Sequence, residues 1–410
     1  MLAAWLATLS GFSIMLLFPG KAELLQPNGD NLTSFLADTN RLLDADWLAC
    51  PSFHMIWAVY AALCIRQRFP QLTLVAVAMV LLTGASCLLT GSHAAIDVIV
   101  GVPVALVCWH HKSIWEKTVR GAEALGNSWA AIEFGPLRII NHALWSAIAA
   151  GIGISLVLWM VGPHLAIETA LVFTSGLIVA GAWGYWLEGS NRLSRPFGYY
   201  GFLFGAIGAL VVLAIFDRTT AQTIMAAFSC AAPLAQAIGR LRCLIQGCCH
   251  GRPTITAPGI CITHPMSRVS ALSELHGVRI HPTQLYSAAA NLMIFALLWR
   301  QWECGATTTF IGGLYLILSS LARFAEEGYR GEKQTPYFFN LAIYQWLAVV
   351  LCLTGIGLSM IEGNSVHLAA TLTKETIMGA VLAALLAALL MSIDFPKSQR
   401  RFSRLTVLKY

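Results

Sequence analysis

Apolar residues along this chain form long runs that would cover every side of a helix, not the single stripe of a helix on a soluble protein. A helix needs about 20 mostly apolar residues to cross the hydrocarbon core of a bilayer. Segments of this kind are predicted at roughly 2–19, 53–66, 71–90, 93–109, 142–161, 165–187, 198–216, 221–239, 282–300, 309–326, 337–358 and 374–393. The pattern predicts an all-α polytopic membrane protein with about twelve transmembrane helices in two modules.

Two polar stretches interrupt this pattern. Residues 110–138 mix charged and apolar side chains, which predicts an amphipathic linker at the membrane surface. Residues 240–281 are rich in Gly, Pro, Cys, His and Arg, and loops of this length are usually functional or disordered. Four domains are predicted: a helical segment at 1–109, the linker at 110–138, a seven-helix module at 139–358, and an extra helix with a basic tail at 359–410.

Composition supports the membrane assignment. Hydrophobic residues make up 57% of the chain and charged residues 11%, whereas a soluble domain carries about 25% charged residues. The net charge of +6 reflects loop orientation, and the tail from Lys397 to Lys409 is predicted to be cytoplasmic. Basic runs interleaved with aromatic residues are absent from the sequence, so nucleic acid is not an expected partner.

Two histidines and an aspartate fall at the entrances of two apolar helices. His93 opens one helix, and Asp97 lies one turn later on the same face. His54 opens the other, and the basic residues that follow both helices place both histidines on the outer side of the membrane. A histidine oriented by a carboxylate can attack phosphorus, and a second histidine can protonate the leaving oxygen. The alternative is a structural role as a helix cap and an ordinary polar contact.

These residues lie in motifs that resemble those of the type 2 phosphatidic acid phosphatase superfamily. Its P-S-x-H motif ends here at His54, and its S-R-x5-H-x3-D motif contains His93 and Asp97. The resemblance covers about residues 1–109 and implies His93 as nucleophile, Asp97 as its orienting partner and His54 as general acid. Cys87 stands where the family has a phosphate-binding arginine. The pattern also looks like the branch that transfers phospho-headgroups between lipids, so this half is either a phosphotransferase or a degenerate copy.

A second group of polar residues occupies three motifs, Gly239–Gly251, His281–Tyr286 and Arg323–Arg330. In the last motif, Arg323, Glu327 and Arg330 share one helix face. Such charges in an apolar helix are costly unless they face a cavity, and the guanidinium fork suits a phosphodiester. A structural ion pair between helices is the alternative.

Cysteine and histidine side chains are concentrated in the same region. They could form a zinc site or a disulfide, although their order fits none of the usual zinc spacings and a disulfide would require an oxidising compartment. No metal or cofactor is expected from the sequence. The residues concerned are Cys243, Cys248, Cys249, His250, Cys261 and His264.

The three motifs, in this order, resemble those of the prolipoprotein diacylglyceryl transferase family. The resemblance implies transfer of a diacylglyceryl group from phosphatidylglycerol to the cysteine of a lipoprotein precursor, in a bacterial-type cytoplasmic membrane. It implies that Arg240, Arg323 and Arg330 hold the phosphate, that Glu327 lies in their field, and that Arg240 and Glu327 are catalytic. The remaining residues implied in substrate binding are Arg242, Gln246, Gly251, His281, Gln284 and Tyr286.

Several positions depart from the family pattern. Tyr199 replaces a histidine proposed as catalytic, Cys243 replaces an asparagine, and Ser287 replaces a glutamate. An acceptor other than a lipoprotein cysteine fits these changes equally well. A transporter or flippase, or a scaffold without either activity, is the alternative from another functional class. Charge counting also places the loop at 240–281 on the cytoplasmic side, whereas the resemblance places the site outside.

Overall fold

The computed structural model describes residues 2–17, 50–89, 93, 95–187, 198–255, 259–331, 335–366 and 372–398. Each of the twelve predicted segments forms a helix within these ranges. They are α1 (Leu2–Leu17), α2 (Phe53–Arg68), α3 (Thr73–Leu89), α4 (Ala95–Trp109), α6 (Ala143–Val161), α7 (Ala166–Leu187), α8 (Tyr199–Phe216), α9 (Arg218–Gln246), α11 (Thr283–Glu303), α12 (Thr308–Glu327), α13 (Ile343–Ser359) and α14 (Lys374–Ser392).

Polar segments supply the remaining elements. The predicted linker forms the amphipathic helix α5 and a hairpin, and the 240–281 region contains one five-residue helix and a short strand pair. These elements are α5 (His111–Gly126), β1 (Ala131–Phe134), β2 (Leu137–Ile140), β3 (Ile260–Cys261), α10 (Arg268–Leu272), β4 (Arg279–Ile280), β5 (Tyr337–Phe338), β6 (Leu341–Ala342) and β7 (Ile393–Asp394).

Seven of the described helices are long and apolar enough to cross a bilayer, or eight if the broken pair α4 and α5 counts as one span. The seven correspond to α3, α6, α7, α8, α9, α12 and α14. The other predicted spans are helices that are shorter or more polar, such as α13 with 17 residues. The chain is therefore a multi-pass membrane protein.

Two compact units divide the chain, Met1–Thr118 and Val119–Tyr410. In the first unit the N-terminal ends of α2 and α4 lie side by side. The Ser52 N–H donates to the Asp97 carbonyl at 3.0 Å, and a Cβ at Gly101 would lie 2.9 Å from the Ser52 carbonyl oxygen. This close approach brings the start of both helices, and the polar residues there, to one place.

The C-terminal helix α14 is part of the second unit. It packs along α6, and the strand β7 that follows it pairs with β2 of the hairpin, with Arg138 opposite Asp394. The Arg138 guanidinium donates to the buried Asp394 carboxylate at 2.5 Å. The segment predicted as an extra helix thus joins the seven-helix module, while the basic residues Arg400, Arg401, Arg404 and Lys409 lie outside the described residues.

The core of the second unit forms around α9, which contacts α6, α8, α11 and α12. Trp302 is fully buried there, and the Trp159 and Trp299 rings stack with centroids 5.6 Å apart. Helices α12 and α13 approach closely through small residues, because a Cβ at Gly355 would lie 2.7 Å from the Gly313 carbonyl oxygen. Small residues at such positions let two membrane helices pack backbone to backbone.

We predict that Gly355→Ala lowers the thermal unfolding midpoint of the protein in detergent. The added methyl group would force α12 and α13 apart, and overpacking of this kind costs about 1–3 kcal/mol. Gly357→Ala is the matched control on the same helix, because a Cβ there would meet nothing within 4 Å. Equal midpoints for the two variants would contradict the close packing of α12 against α13.

Candidate functional site

An ion cluster forms where the end of α12 meets α9. The Glu326 carboxylate accepts a hydrogen bond from Arg323 at 3.1 Å and lies 3.6 Å from guanidinium nitrogens of both Arg240 and Arg330. Glu327 lies 2.6 Å from Arg323 and 3.9 Å from Arg330. The predicted charges therefore meet, although α12 ends at Glu327 and Arg330 lies beyond the helix, in a bridge with Gly251. The cluster's three guanidinium groups against two carboxylates leave one net positive charge.

Glu326 is a residue that the sequence interpretation missed. It lies three residues after Arg323 and four before Arg330, so helical spacing alone could have included it. The sequence pointed to Glu327, whereas Glu326 is the carboxylate that lies 3.6 Å from Arg240 of α9. The carboxylate that ties the two helices together is therefore the neighbour of the one that was predicted.

Two cavities meet at this cluster. The larger has a volume of about 650 Å³ and is lined mainly by apolar residues of α6, α7, α8 and α9. The smaller has a volume of about 530 Å³ and includes aromatic and polar residues such as His281 and Tyr329. Arg240 and Arg323 line both cavities. A molecule with an anionic centre could therefore place an apolar part on one side of the arginines and a polar part on the other.

The loop after α9 is held against the start of α11. Gly247 ends α9 in the left-handed conformation at a φ of 72°. The Gln284 amide then donates to the Cys248 carbonyl at 2.8 Å, and the Thr283 hydroxyl donates to the Cys249 carbonyl at 2.7 Å. Because the loop is fixed at both carbonyls, the first two sequence motifs form one rigid surface beside the arginines.

Gly251 and His281 connect this surface to the third motif. Gly251 pairs with Arg330 in an isolated antiparallel bridge, and a side chain at position 251 would collide with the His281 backbone. The His281 ring lies against Tyr329, and its Nδ1 is 3.2 Å from the Tyr286 hydroxyl. Partial burial, and then the charge of Arg252, lower the pKa of His281, so its imidazole stays neutral near pH 7.

Other predicted residues lie at the margin of the cluster. Arg242 lines the larger cavity, but its guanidinium donates to the Met391 carbonyl of α14 at 3.0 Å. Gln246 lines the same cavity and accepts from the Cys248 thiol at 3.6 Å. The structure thus places both near the site without bringing them to the carboxylates.

The positions that depart from the family pattern also lie at the cluster. The Arg240 Nε donates to the Ser287 hydroxyl at 2.8 Å, so the residue in place of the family's glutamate is a neutral partner. The Tyr199 hydroxyl lies 3.2 Å from the Tyr315 hydroxyl and lines both cavities. A phenolic hydroxyl has no imidazole nitrogen to take up a proton, so Tyr199 does not supply the base that a histidine would.

Three of the concentrated cysteines come together. The sulfur atoms of Cys243, Cys248 and Cys249 lie within 4.8 Å of one another, and all three residues line the larger cavity. Hydrogen bonds with the other two thiols raise the pKa of Cys248. None of the eleven cysteines, all of which lie in the described residues, forms a disulfide, so the disulfide alternative is not realised in the structure.

The other candidate ligands of that region lie apart from these thiols. The His250 Nε2 is 2.7 Å from the Ser273 hydroxyl, and the His264 ring stacks on Trp129. The Cys261 backbone N–H donates to Glu123 at 3.0 Å. The six residues considered together in the sequence therefore separate into one thiol cluster and three residues with structural contacts.

The first unit contains the predicted histidine pair. The His54 Nδ1 lies 3.2 Å from the His93 Nε2, and the His93 Nδ1 lies 3.8 Å from the buried Asp97 carboxylate. Cys87 is close enough that its sulfur and the two imidazoles fall within 4.8 Å of one another. Burial, and then the charge of Asp97, raise the pKa of the nearby Cys50. The two histidines and the carboxylate are adjacent, as their helix positions predicted.

Apolar spans that enclose an arginine cluster between two cavities are those of an integral membrane protein with an internal cationic cluster. The family model of prolipoprotein diacylglyceryl transferase matches residues 129–361, and this chain belongs to that family. Residues 3–110 also match the model of the PAP2 superfamily. The match to the transferase family covers the ion cluster, the smaller cavity, and the lining of the larger cavity except Ala387 and Met391 of α14, whereas the PAP2 match covers the histidine pair.

Similar curated proteins are named phosphatidylglycerol–prolipoprotein diacylglyceryl transferase. The protein from Dehalococcoides mccartyi is 30% identical over 166 residues, which is 40% of this chain and 61% of the relative. The protein from Clostridium tetani is 32% identical over 124 residues, or 30% of this chain and 47% of the relative. A third transferase, from Clostridium perfringens, is 26% identical over 46% of this chain and 75% of its own length. The chain thus spans about three fifths of the length of the first of these relatives.

We predict that Glu326→Gln destabilises the protein by about 3–5 kcal/mol, because buried arginines would lose their shared counter-charge. Added phosphatidylglycerol should raise the thermal midpoint of this variant more than that of the unaltered protein, since a phosphodiester would replace the lost charge. Glu303→Gln is the control, because Glu303 is in a partly exposed pair with Arg300 and such pairs contribute about 0–1 kcal/mol. Equal effects of the two substitutions would refute the central role of Glu326.

Proposed function

We propose that the protein transfers a diacylglyceryl group from phosphatidylglycerol to a cysteine thiol of a lipoprotein precursor. The observation that carries this proposal is the single net positive charge of the ion cluster, set between an apolar cavity and a more polar one. A phosphatidylglycerol phosphodiester has one negative charge, two acyl chains and a polar glycerol. Each of these three parts matches one part of the site.

The arginines would act on the leaving group. In the transfer, a bond forms between the acceptor sulfur and the terminal glyceryl carbon, and the bond from that carbon to the phosphate ester oxygen breaks. Glycerol phosphate leaves with the electron pair, and the thiol proton is released. The charge on the phosphate grows as the bond breaks, so cations positioned beforehand stabilise the transition state more than the bound lipid. In this proposal Arg240, Arg323 and Arg330 have this role, and Glu327 keeps Arg323 and Arg330 oriented.

The acceptor assignment follows the names of the related proteins, which act on prolipoproteins. The smaller cavity supports it, because its aromatic and polar lining near His281 and Tyr286 suits a peptide segment better than an acyl chain. The family also supports a bacterial-type cytoplasmic membrane as the location, with the basic tail on the cytoplasmic side.

We predict that Arg240→Ala and Arg330→Ala each lower the transfer rate about 100- to 1,000-fold, the usual effect of removing one donor from a developing anion. Arg300→Ala should retain full activity, because Arg300 pairs with Glu303 at the far end of α11. Transfer from labelled phosphatidylglycerol to a peptide that contains the acceptor cysteine measures the rate in detergent. Unchanged rates in both cluster variants would refute the proposed phosphate site.

A second activity is proposed for the first unit, phosphoryl transfer or hydrolysis through His93. The contact of its Nε2 with His54, and the buried Asp97 on its other side, favour this proposal. The carboxylate would stabilise the imidazolium that forms when the ring attacks phosphorus. Cys87 offers no positive charge for the phosphate, so the expected rate is low.

We predict that His93→Ala and His54→Ala abolish release of phosphate from phosphatidic acid or phosphatidylglycerol phosphate by the purified protein. His110→Ala is the control, since His110 is an exposed histidine of the same unit. Release that is equal in all three variants, or absent in the unaltered protein, would show that the first unit does not carry out this chemistry.

A further inference from the structure

The proposed transfer needs a thiolate, and the carboxylates that the structure describes around the arginines are paired with guanidinium groups. Thiolates, not thiols, are the nucleophiles in sulfur chemistry, and a free cysteine has a pKa of about 8.5. Among the described residues that line the larger cavity there is no histidine. His281 lines the smaller cavity, but its Nδ1 contacts the Tyr286 hydroxyl. Another feature of the site must therefore activate the acceptor.

The thiol cluster of Cys243, Cys248 and Cys249 has the form of a metal site. Cys243 lies in the last turn of α9, and the left-handed residues Gly247 and Cys249 turn the chain back so that all three sulfurs meet. Zinc binds thiolates at about 2.3 Å, which places two sulfurs of a tetrahedral site about 3.8 Å apart by this bond length. Since the sulfurs already lie within 4.8 Å of one another, small side-chain movements suffice.

Positive charges lie beside two of the three cysteines, Cys243 and Cys249. Arg240 acts electrostatically on Cys243 and Cys249, and Arg330 acts on Cys249. Three thiolates and one zinc ion carry one net negative charge, which cations at this distance would stabilise. The loop is also fixed through its carbonyls by Thr283 and Gln284, and such outer contacts orient ligands at metal sites.

We propose that Cys243, Cys248 and Cys249 bind one zinc ion whose fourth position, open to the larger cavity, binds the acceptor thiol as a thiolate. Three protein ligands and an open position are the arrangement of catalytic zinc, and a thiol bound to zinc is deprotonated. The acceptor proton is released to solvent when the thiol binds. The zinc-bound sulfur then forms its bond to the glyceryl carbon as the carbon–oxygen bond to the phosphate breaks, and the thioether product leaves the metal. This inference rests on the proposed transferase function.

Metal content tests the site independently of activity. The full-length protein, purified in detergent under a thiol reductant and incubated with Zn²⁺, should retain one zinc ion per chain after desalting. Cys243→Ser, Cys248→Ser and Cys249→Ser should each weaken zinc binding, by roughly 100-fold or more since loss of outer-shell partners alone costs 10- to 100-fold. Cys304→Ser is the control, because Cys304 is an exposed cysteine outside the cluster. In place of zinc, Co²⁺ should show sulfur-to-metal charge-transfer bands that the three cluster variants lack.

Zinc that is absent, or retained equally by all variants, would overturn the metal site. So would a disulfide between two of the three cysteines that persists under the reductant, seen as the loss of two titratable thiols. Equal thermal midpoints of the serine variants and the unaltered protein in the absence of metal would establish that the variants fold.

Activity then tests the role of the metal. Chelation should abolish diacylglyceryl transfer while phosphatidylglycerol still raises the thermal midpoint, and added Zn²⁺ should restore transfer. Full transfer by the chelated protein would overturn the thiolate role and leave the proposed function intact. Zinc bound through the three cysteines, without transfer under any condition, would support the metal site and refute the proposed function instead.

Discussion

The structure of the second unit depends on the burial of three arginines with only two glutamates. Glu326 shares its carboxylate among Arg240 of α9, Arg323 of α12 and Arg330 just beyond α12, so one side chain links the two helices. A buried ion pair contributes little net stability, because desolvation offsets most of the attraction. The ion cluster instead fixes the positions of the side chains that form it. The three guanidinium groups exceed the two carboxylates by one positive charge, and this surplus lies where the two cavities meet.

Much of this arrangement was predictable from spacing. Long apolar runs predicted all twelve helices, and helical spacing predicted that Arg323 pairs with Glu327. Arg330 also reaches Glu327, but from beyond the end of α12 and not from the same helix face. The choice between Glu326 and Glu327 was not predictable, because both lie within one turn of the same arginines and only the position of Arg240 in space distinguishes them. The segment 221–239 was also too short a prediction for α9, since the polar residues after it continue the helix to Gln246 against buried neighbours.

The thiol cluster also depends on positions in space that the sequence does not predict. Six cysteines and histidines were candidates for one site, and their spacing fitted no known order. The chain reverses at Gly247 and Cys249, and this reversal brings the sulfurs of Cys243, Cys248 and Cys249 together. The sequence does not predict it, because a left-handed backbone is uncommon at a cysteine. In the first unit the histidine contact was predictable because helix entrances at one membrane depth meet. The approach of Cys87 depends on how the end of α3 lies beside that entrance.

The pairing of β2 with β7 has a consequence for how the protein is made. Arg138 is synthesised near the start of the second unit, and its partner Asp394 follows 256 residues later. At the usual 5 to 20 residues per second this separation corresponds to roughly 13–50 seconds of translation. During that interval the hairpin lacks its third strand and α6 lacks the helix that covers one side of it. The hairpin and α6 therefore cannot complete these contacts until α14 and β7 have been synthesised and inserted.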